Sequence, residues 1–160
     1  MKDNRINKPA LIQYLKAQFC LDWHGFHGIS HWSRVRYNGL LIARENNASI
    51  HVVELFAFFH DARRFNEHRD PEHGIRGAEL AWKLRDRFFE ATDLEMTLLT
   101  EACCEHSNGL IEADITVQTC FDADRLDLAR VGIMPNPLYL CTEQAKKPAL
   151  LAAAIKRSRR

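Results

Sequence analysis

No run of the 160 residues is apolar for long enough to cross a bilayer, because a spanning helix needs about 20 consecutive apolar residues. The opening MKDNRINKPA has no apolar stretch behind its charges. It predicts no secretory signal and a cytoplasmic default. A disulfide scaffold is also absent. The five cysteines (Cys20, Cys103, Cys104, Cys120 and Cys141) are odd in number and contain no CxxC, so they read as reduced, mostly buried small apolar residues. The formal net charge is only +1, which removes any global electrostatic drive toward nucleic acid or a membrane. P-loop, GxGxxG, HExxH and GxSxG motifs are missing, and with them the commonest nucleotide, zinc-protease and serine-hydrolase sites. There are no internal repeats, no low-complexity linkers and no hairpin signal.

What is present suits one domain with a single core, since 46% of the residues are hydrophobic. Helical spacing recurs throughout. Pro9 stands at the start of a first helix carrying Leu11, Ile12, Leu15 and Phe19. Ser30 is a candidate cap for a second helix over about 31–45, and Ser49 for a third, IHVVELFAFFHD. That third segment is apolar almost all round, so it belongs at the centre of the fold. A fourth helix is expected from Pro71 to about Phe89, and a fifth from Thr92 or Asp93 to near Gly109. A sixth runs from Ile115 to Val131, and a last one from Thr142 to Lys156. The fold expected is an all-α bundle of about seven helices. Lys156, Arg157, Arg159 and Arg160 read as a frayed, solvated basic end. Phe56, Phe58, Phe59, Phe88 and Phe89 read as core and not as a base-stacking platform.

His60 and Asp61 sit in an odd place, at the C-terminal end of the most hydrophobic helix. Burying a charge without partners costs several kcal/mol, so a carboxylate beside an imidazole there suggests a compensating ligand such as a divalent metal. The plainer reading is a helix end where His60 favours the dipole and Asp61 begins a turn. Upstream, His31 lies in HGISHWSRV, and downstream Asp124 lies in FDADRLDLARV. Asp124 and Asp127 are helical neighbours, and Asp122 points elsewhere. The plainer reading of the trio is a solvated acidic face paired with Arg125 and Arg130. Two weaker constellations are a small zinc site from Cys20, His24 and His27, which lacks a fourth partner, and a Cys103 or Cys104 nucleophile with His106.

Taken in order, a His, an adjacent His-Asp pair and a distant Asp resemble the HD superfamily of metal-dependent phosphohydrolases. The resemblance runs over about residues 24–131 and includes the flanks HGISHWSRV, FFHD and ADRLD. It implies an HD-type helical bundle with His31, His60, Asp61 and Asp124 as metal ligands. In members with two metals, intervening histidines complete the second site, and His73 and His106 resemble those. Asp61 then bridges the ions. The plainer alternative leaves His73 solvated in a first helical turn and His106 at a helix C-terminus. The implied cofactor is one or two divalent ions from among manganese, zinc, nickel, cobalt, magnesium and iron, with water as nucleophile. The implied partner is a small phosphorylated substrate such as a nucleotide, with no membrane and no nucleic acid. Arg63 and Arg64, directly after the pair, suit phosphate, and exposed loop positions are the alternative. Arg34 is a second candidate for substrate, equally able to pair with Glu54 or Asp127. His27 is a candidate acid or substrate contact. Asp61, Arg63, Arg64 and His27 therefore make up the expected catalytic set. Two other functions fit the same ligands: a di-iron HD-type oxygenase, and a metal-binding regulatory module without turnover.

Overall fold

The computed structural model describes residues 5–160. The first four residues of MKDNRINKPA, on which the leader reading partly rests, lie outside the described residues. The described residues form seven α-helices: α1 (Lys8–Gln18), α2 (Ile29–Asn46), α3 (Ile50–Phe59), α4 (His73–Leu84), α5 (Asp93–Glu105), α6 (Ile115–Arg125) and α7 (Pro148–Ser158). Two 3-10 turns, Leu128–Val131 and Pro137–Tyr139, lie between α6 and α7. There is no strand among the described residues, only isolated bridges at Ile6–Phe89 and Arg85–Phe89. No described helix is long and apolar enough to cross a membrane.

Helix α3 is the axis of the bundle. Its apolar residues point in every direction, and every residue from His51 to Phe59 is buried. Helices α2, α4, α5 and α6 pack around it, which is how a helix without a polar face is satisfied. Ser49 caps it as expected, its hydroxyl accepting from the Val52 amide at 3.3 Å. Glu54, the acidic residue of α3, is neutralised by Lys8 at 2.9 Å and Arg36 at 2.6 Å. At α5, Thr92 and Glu95 form a reciprocal capping box.

Several boundaries differ from expectation. Gly28, not Ser30, caps α2, without a side-chain hydrogen bond. Helix α4 stops at Leu84, because Asp86 takes a left-handed φ of 66° that reverses the chain and turns Phe89 into the core. Helix α5 stops at Glu105, with His106 as its cap. Helix α6 stops at Arg125, and the chain tightens into a 3-10 turn closed by Gly132 at φ 82°. Helix α7 starts at Pro148, since Thr142 is spent on Asp122, which accepts its amide and hydroxyl, both at 2.7 Å. The basic end does not fray at Lys156. The helix runs on to Ser158, which is buried.

Two glycines let α4 approach its neighbours. A Cβ on Gly74 would lie 1.9 Å from the Cys103 carbonyl oxygen, and one on Gly77 would lie 2.3 Å from that of Phe59. This close backbone contact brings the start of α4 against the ends of α5 and α3, where the chemistry-bearing residues lie.

Candidate metal centre

The six residues with metal-ligand chemistry all come from helix ends. His31 is in the first turn of α2, and His73 is the first residue of α4. His60 and His106 are the C-terminal caps of α3 and α5, Asp61 follows His60, and Asp124 is in the last turn of α6. His60 stacks on Phe56 one turn earlier, with ring centroids 4.8 Å apart. Side chains at helix ends can converge on a point that no single helix surface reaches.

They converge as two triads. His31, His60 and Asp124 form one, and Asp61, His73 and His106 the other; within each, the ligand atoms lie within 4.8 Å of one another. Asp61 stands between them. Its Oδ2 is 3.4 Å from His31 Nε2 and 3.5 Å from His60 Nε2. Its Oδ1 is 3.2 Å from His73 Nε2 and 3.7 Å from His106 Nε2. One carboxylate thus offers one oxygen to each triad.

The hydrogen bonds fix which nitrogens are available. Each imidazole has committed its Nδ1 outward. His60 donates toward the carbonyls of Phe56 and Ala57 at 3.1 and 3.2 Å. His73 donates to Asp70 O at 2.5 Å, His106 to Cys103 O at 2.7 Å, and His31 to Asp127 Oδ2 at 2.7 Å. Carbonyls only accept, so in the neutral rings Nε2 carries a lone pair. Yet the Nε2 atoms face each other in pairs, His31 with His60 at 3.0 Å and His73 with His106 at 2.9 Å. Two lone pairs at that distance repel unless a cation or a proton lies between them. This donor set of four imidazoles and two carboxylates fits divalent first-row metals, and the outward Nδ1 bonds are the outer-shell partners that such ligands use.

The charges agree. Burial opposes protonation of His31, but its bonds to Asp124, Asp127 and Asp61 outweigh it and push the pKa up to about 9. His106 is raised as well, burial being outweighed by Asp61 and Asp124. Burial lowers His60 to about 3 against the opposing pull of Asp61 and Asp124. Asp61 is held far below its ordinary range: burial is overcome by His60 and by bonds from His106, His31 and His73. Asp124 is likewise lowered, by His31 and His60 against burial. Both shifts have the same cause, buried carboxylates that favour positive charge on the imidazoles beside them.

The remaining candidates divide. Arg64 is buried at the second triad, with Nη1 3.4 Å from His73 Nε2 and 3.9 Å from Asp61 Oδ1. Arg63 points back to α1, where Nη1 donates to Gln18 Oε1 at 2.8 Å. Arg34 donates its Nε to Asp127 at 2.7 Å, the pairing weighed against a substrate role. His27 lies with its ring 6.4 Å from that of His31 and its Nδ1 2.5 Å from Glu67; burial lowers its pKa. The Asp122–Asp127 stretch is not a solvated face, since Asp122 and Asp127 are fully buried. Cys103 is a buried core thiol with a pKa raised by burial, and Cys20 is exposed.

Sequence reasoning missed two parts of the site. Asp127 holds His31 while accepting from Arg34 and, at 2.6 Å, from Ser158. Its spacing of three from Asp124 was the available signal. The second part is the segment 133–140, to which the sequence pattern assigns no role. With Asp124 and His106 it lines a cavity of 490 Å3, whose apolar wall includes Ile133, Met134, Pro135 and Tyr139. Solvent reaches the centre from this side: Asp124 is 20% exposed, and no other member of the triads exceeds 4%.

No family model and no curated protein matches the chain. Among solved structures it is similar to a predicted HD superfamily hydrolase from an uncultured Thermotogales bacterium, determined at 1.45 Å resolution. The two are 23% identical with a TM-score of 0.73, over 97% of this chain and 88% of that one. The likeness covers nearly the whole chain, and the chain shares the all-helical fold of that predicted HD superfamily hydrolase.

Proposed function

We propose that the protein is a metal-dependent phosphohydrolase that cleaves a phosphoester of a nucleotide or another small phosphorylated metabolite. The observation that carries this reading is the pair of facing triads joined by the two oxygens of Asp61. His31, His60 and Asp124 would hold one divalent ion, and His73 and His106 a second, with Asp61 shared. When bound, such ions supply Lewis acidity and an activated water, and two together suit an in-line displacement at phosphorus. Imidazole-rich sets favour manganese, iron, cobalt, nickel or zinc over magnesium.

The chain's own residues account for the rest. Arg64, buried beside Asp61 and His73, provides fixed positive charge for phosphoryl oxygens. His27 is oriented by Glu67 through Nδ1, leaving Nε2 to take up a proton and return it to the leaving oxygen. The apolar cavity beside Asp124 and His106 receives the organic part of the substrate and keeps bulk water from the reacting face. Arg63, engaged by Gln18, has no part in this reading.

The same four-histidine set supports a second reading, a di-iron oxygenase, and one experiment separates the two. Wild type, Asp61→Asn and His106→Ala are loaded with manganese, cobalt or iron. Metal per chain, phosphate release from nucleoside monophosphates and oxygen uptake are then measured. The phosphohydrolase predicts two metals in wild type and one in His106→Ala. It also predicts phosphate release that Asp61→Asn abolishes. Oxygen uptake by the iron form without phosphate release favours the second reading. Saturation of wild type at one metal removes the two-ion version of both.

A further inference from the structure

The basic end of the chain does something that the metal centre does not use. Helix α7 lays it against the first turns of α2, and two adjoining cavities of 530 and 410 Å3 open there. They share Ser30, Arg34 and Arg160; Arg130 and Arg159 line the first and Arg157 the second. Five guanidinium groups thus line one open depression, and among the described residues no Asp or Glu lines it. In a chain with a net charge of only +1, that is a strong local imbalance.

Most of these groups are held in place before any ligand arrives. Arg34 is pinned by Asp127, and Arg130 donates to Phe26 O at 2.8 Å and to Asp127 O at 3.0 Å. Arg157 reaches Asn38 Oδ1 at 2.9 Å and lies over the Tyr37 ring, while its buried Nε has no hydrogen-bond partner. Asp127 is fully buried between Arg34 and His31, and its oxygens are already engaged by Arg34, Ser158 and His31. The N-terminus of the 18-residue α2, whose cap Gly28 offers no side-chain hydrogen bond, adds its positive dipole end to the same space.

We propose that this arginine-walled space is an anion site, separate from the metal centre, for a small molecule carrying a multiply charged phosphate group. Preordered guanidinium forks match phosphate oxygens two at a time and lose little entropy on binding. The site is independent of the phosphohydrolase reading, because none of its arginines belongs to the triads.

The test is calorimetric titration of the metal-loaded full chain with inorganic pyrophosphate. Arg157→Gln/Arg160→Gln should lose one class of binding sites, or weaken it at least tenfold, with metal content unchanged. Ser30→Asp should do the same while folding at least as well, since an acidic residue suits a helix N-terminus; it keeps the test valid if the double variant misfolds. Lys156→Gln, on the same helix but outside the cavities, should bind as wild type does. Asp124→Ala should lose metal yet retain this binding, so failure here and failure of the metal centre read out separately. An unchanged isotherm in folded Ser30→Asp would overturn the proposal. So would an equal loss in Lys156→Gln, or tighter binding of a single-stranded oligonucleotide than of pyrophosphate.

Discussion

Replacing Asp127 with asparagine removes a charge from beneath His31 and hardly alters side-chain volume. Asp127 Oδ2 accepts from His31 Nδ1 at 2.7 Å, and Oδ1 accepts from Arg34 at 2.7 Å and from Ser158 at 2.6 Å. Three donors therefore meet two acceptor oxygens, and asparagine has one. If its amide nitrogen faces His31, two N–H groups collide. The ring must then move its proton to Nε2, the atom that faces His60 and Asp124, and a protonated Nε2 cannot ligate. If the nitrogen faces Arg34 instead, His31 keeps its tautomer but loses the carboxylate that makes it basic. Loss of such outer-shell partners costs about 10–100-fold in metal affinity, or about 1.4–2.8 kcal/mol at 1.4 kcal/mol per tenfold. Competition against a chromogenic chelator, with zinc and with manganese, measures it. The loss should fall on the His31, His60 and Asp124 triad alone, because His73 and His106 are held by carbonyls. A folded Asp127→Asn protein whose weaker and tighter metals both stay within about threefold of wild type would refute the reasoning.

The pH dependence of the metal-free protein follows from His31, whose pKa rises from 6.5 unfolded to about 9 folded. A raised histidine stabilises fully below the unfolded value, and that contribution is lost as pH rises through about 9. Urea midpoints of chelated protein across that window should fall with pH. Metal affinity should climb about tenfold per pH unit over the same window, because one proton must leave; a flat affinity profile would count against proton displacement. Gly74→Ala should destabilise by about 1–3 kcal/mol through overpacking, since its Cβ would meet the Cys103 carbonyl at 1.9 Å. Urea unfolding reads this directly, and a change below about 0.5 kcal/mol would mean that the α4–α5 contact yields easily.

The residues that were legible in the sequence are those whose chemistry conflicts with their surroundings. A His-Asp pair at the end of an apolar helix raised a metal site beside the plainer helix-end reading; the resemblance to the HD superfamily singled out His31, His73, His106 and Asp124, and these side chains do meet the pair. Helix α3 was legible because it has no polar side to present. Arg63 and Arg64 were not separable by sequence, because neighbouring positions at a turn point in different directions: one finds Gln18, the other His73. Asp127 looked like one acid among three, since its importance lies in a partner 96 positions away. The ends of α4 and α6 were misjudged for a related reason. Apolar spacing continues through Phe89 and Val131, whereas a left-handed residue at Asp86 and a tightened turn after Asp127 stop the helices.

The distance in sequence between His31 and Asp127 has a consequence for synthesis. At about 5–20 residues per second, roughly 5–20 s pass between the emergence of the two, and the Ser158 that locks Asp127 arrives later still. For much of that interval α3 is out of the ribosome while α6, one of its packing partners, is not. The growing chain therefore carries an apolar helix still short of one of its packing partners and ending in His60 and Asp61, with the first triad still lacking Asp124. A metal held by the first triad would therefore be acquired only late in folding, once Asp124 has joined His31 and His60.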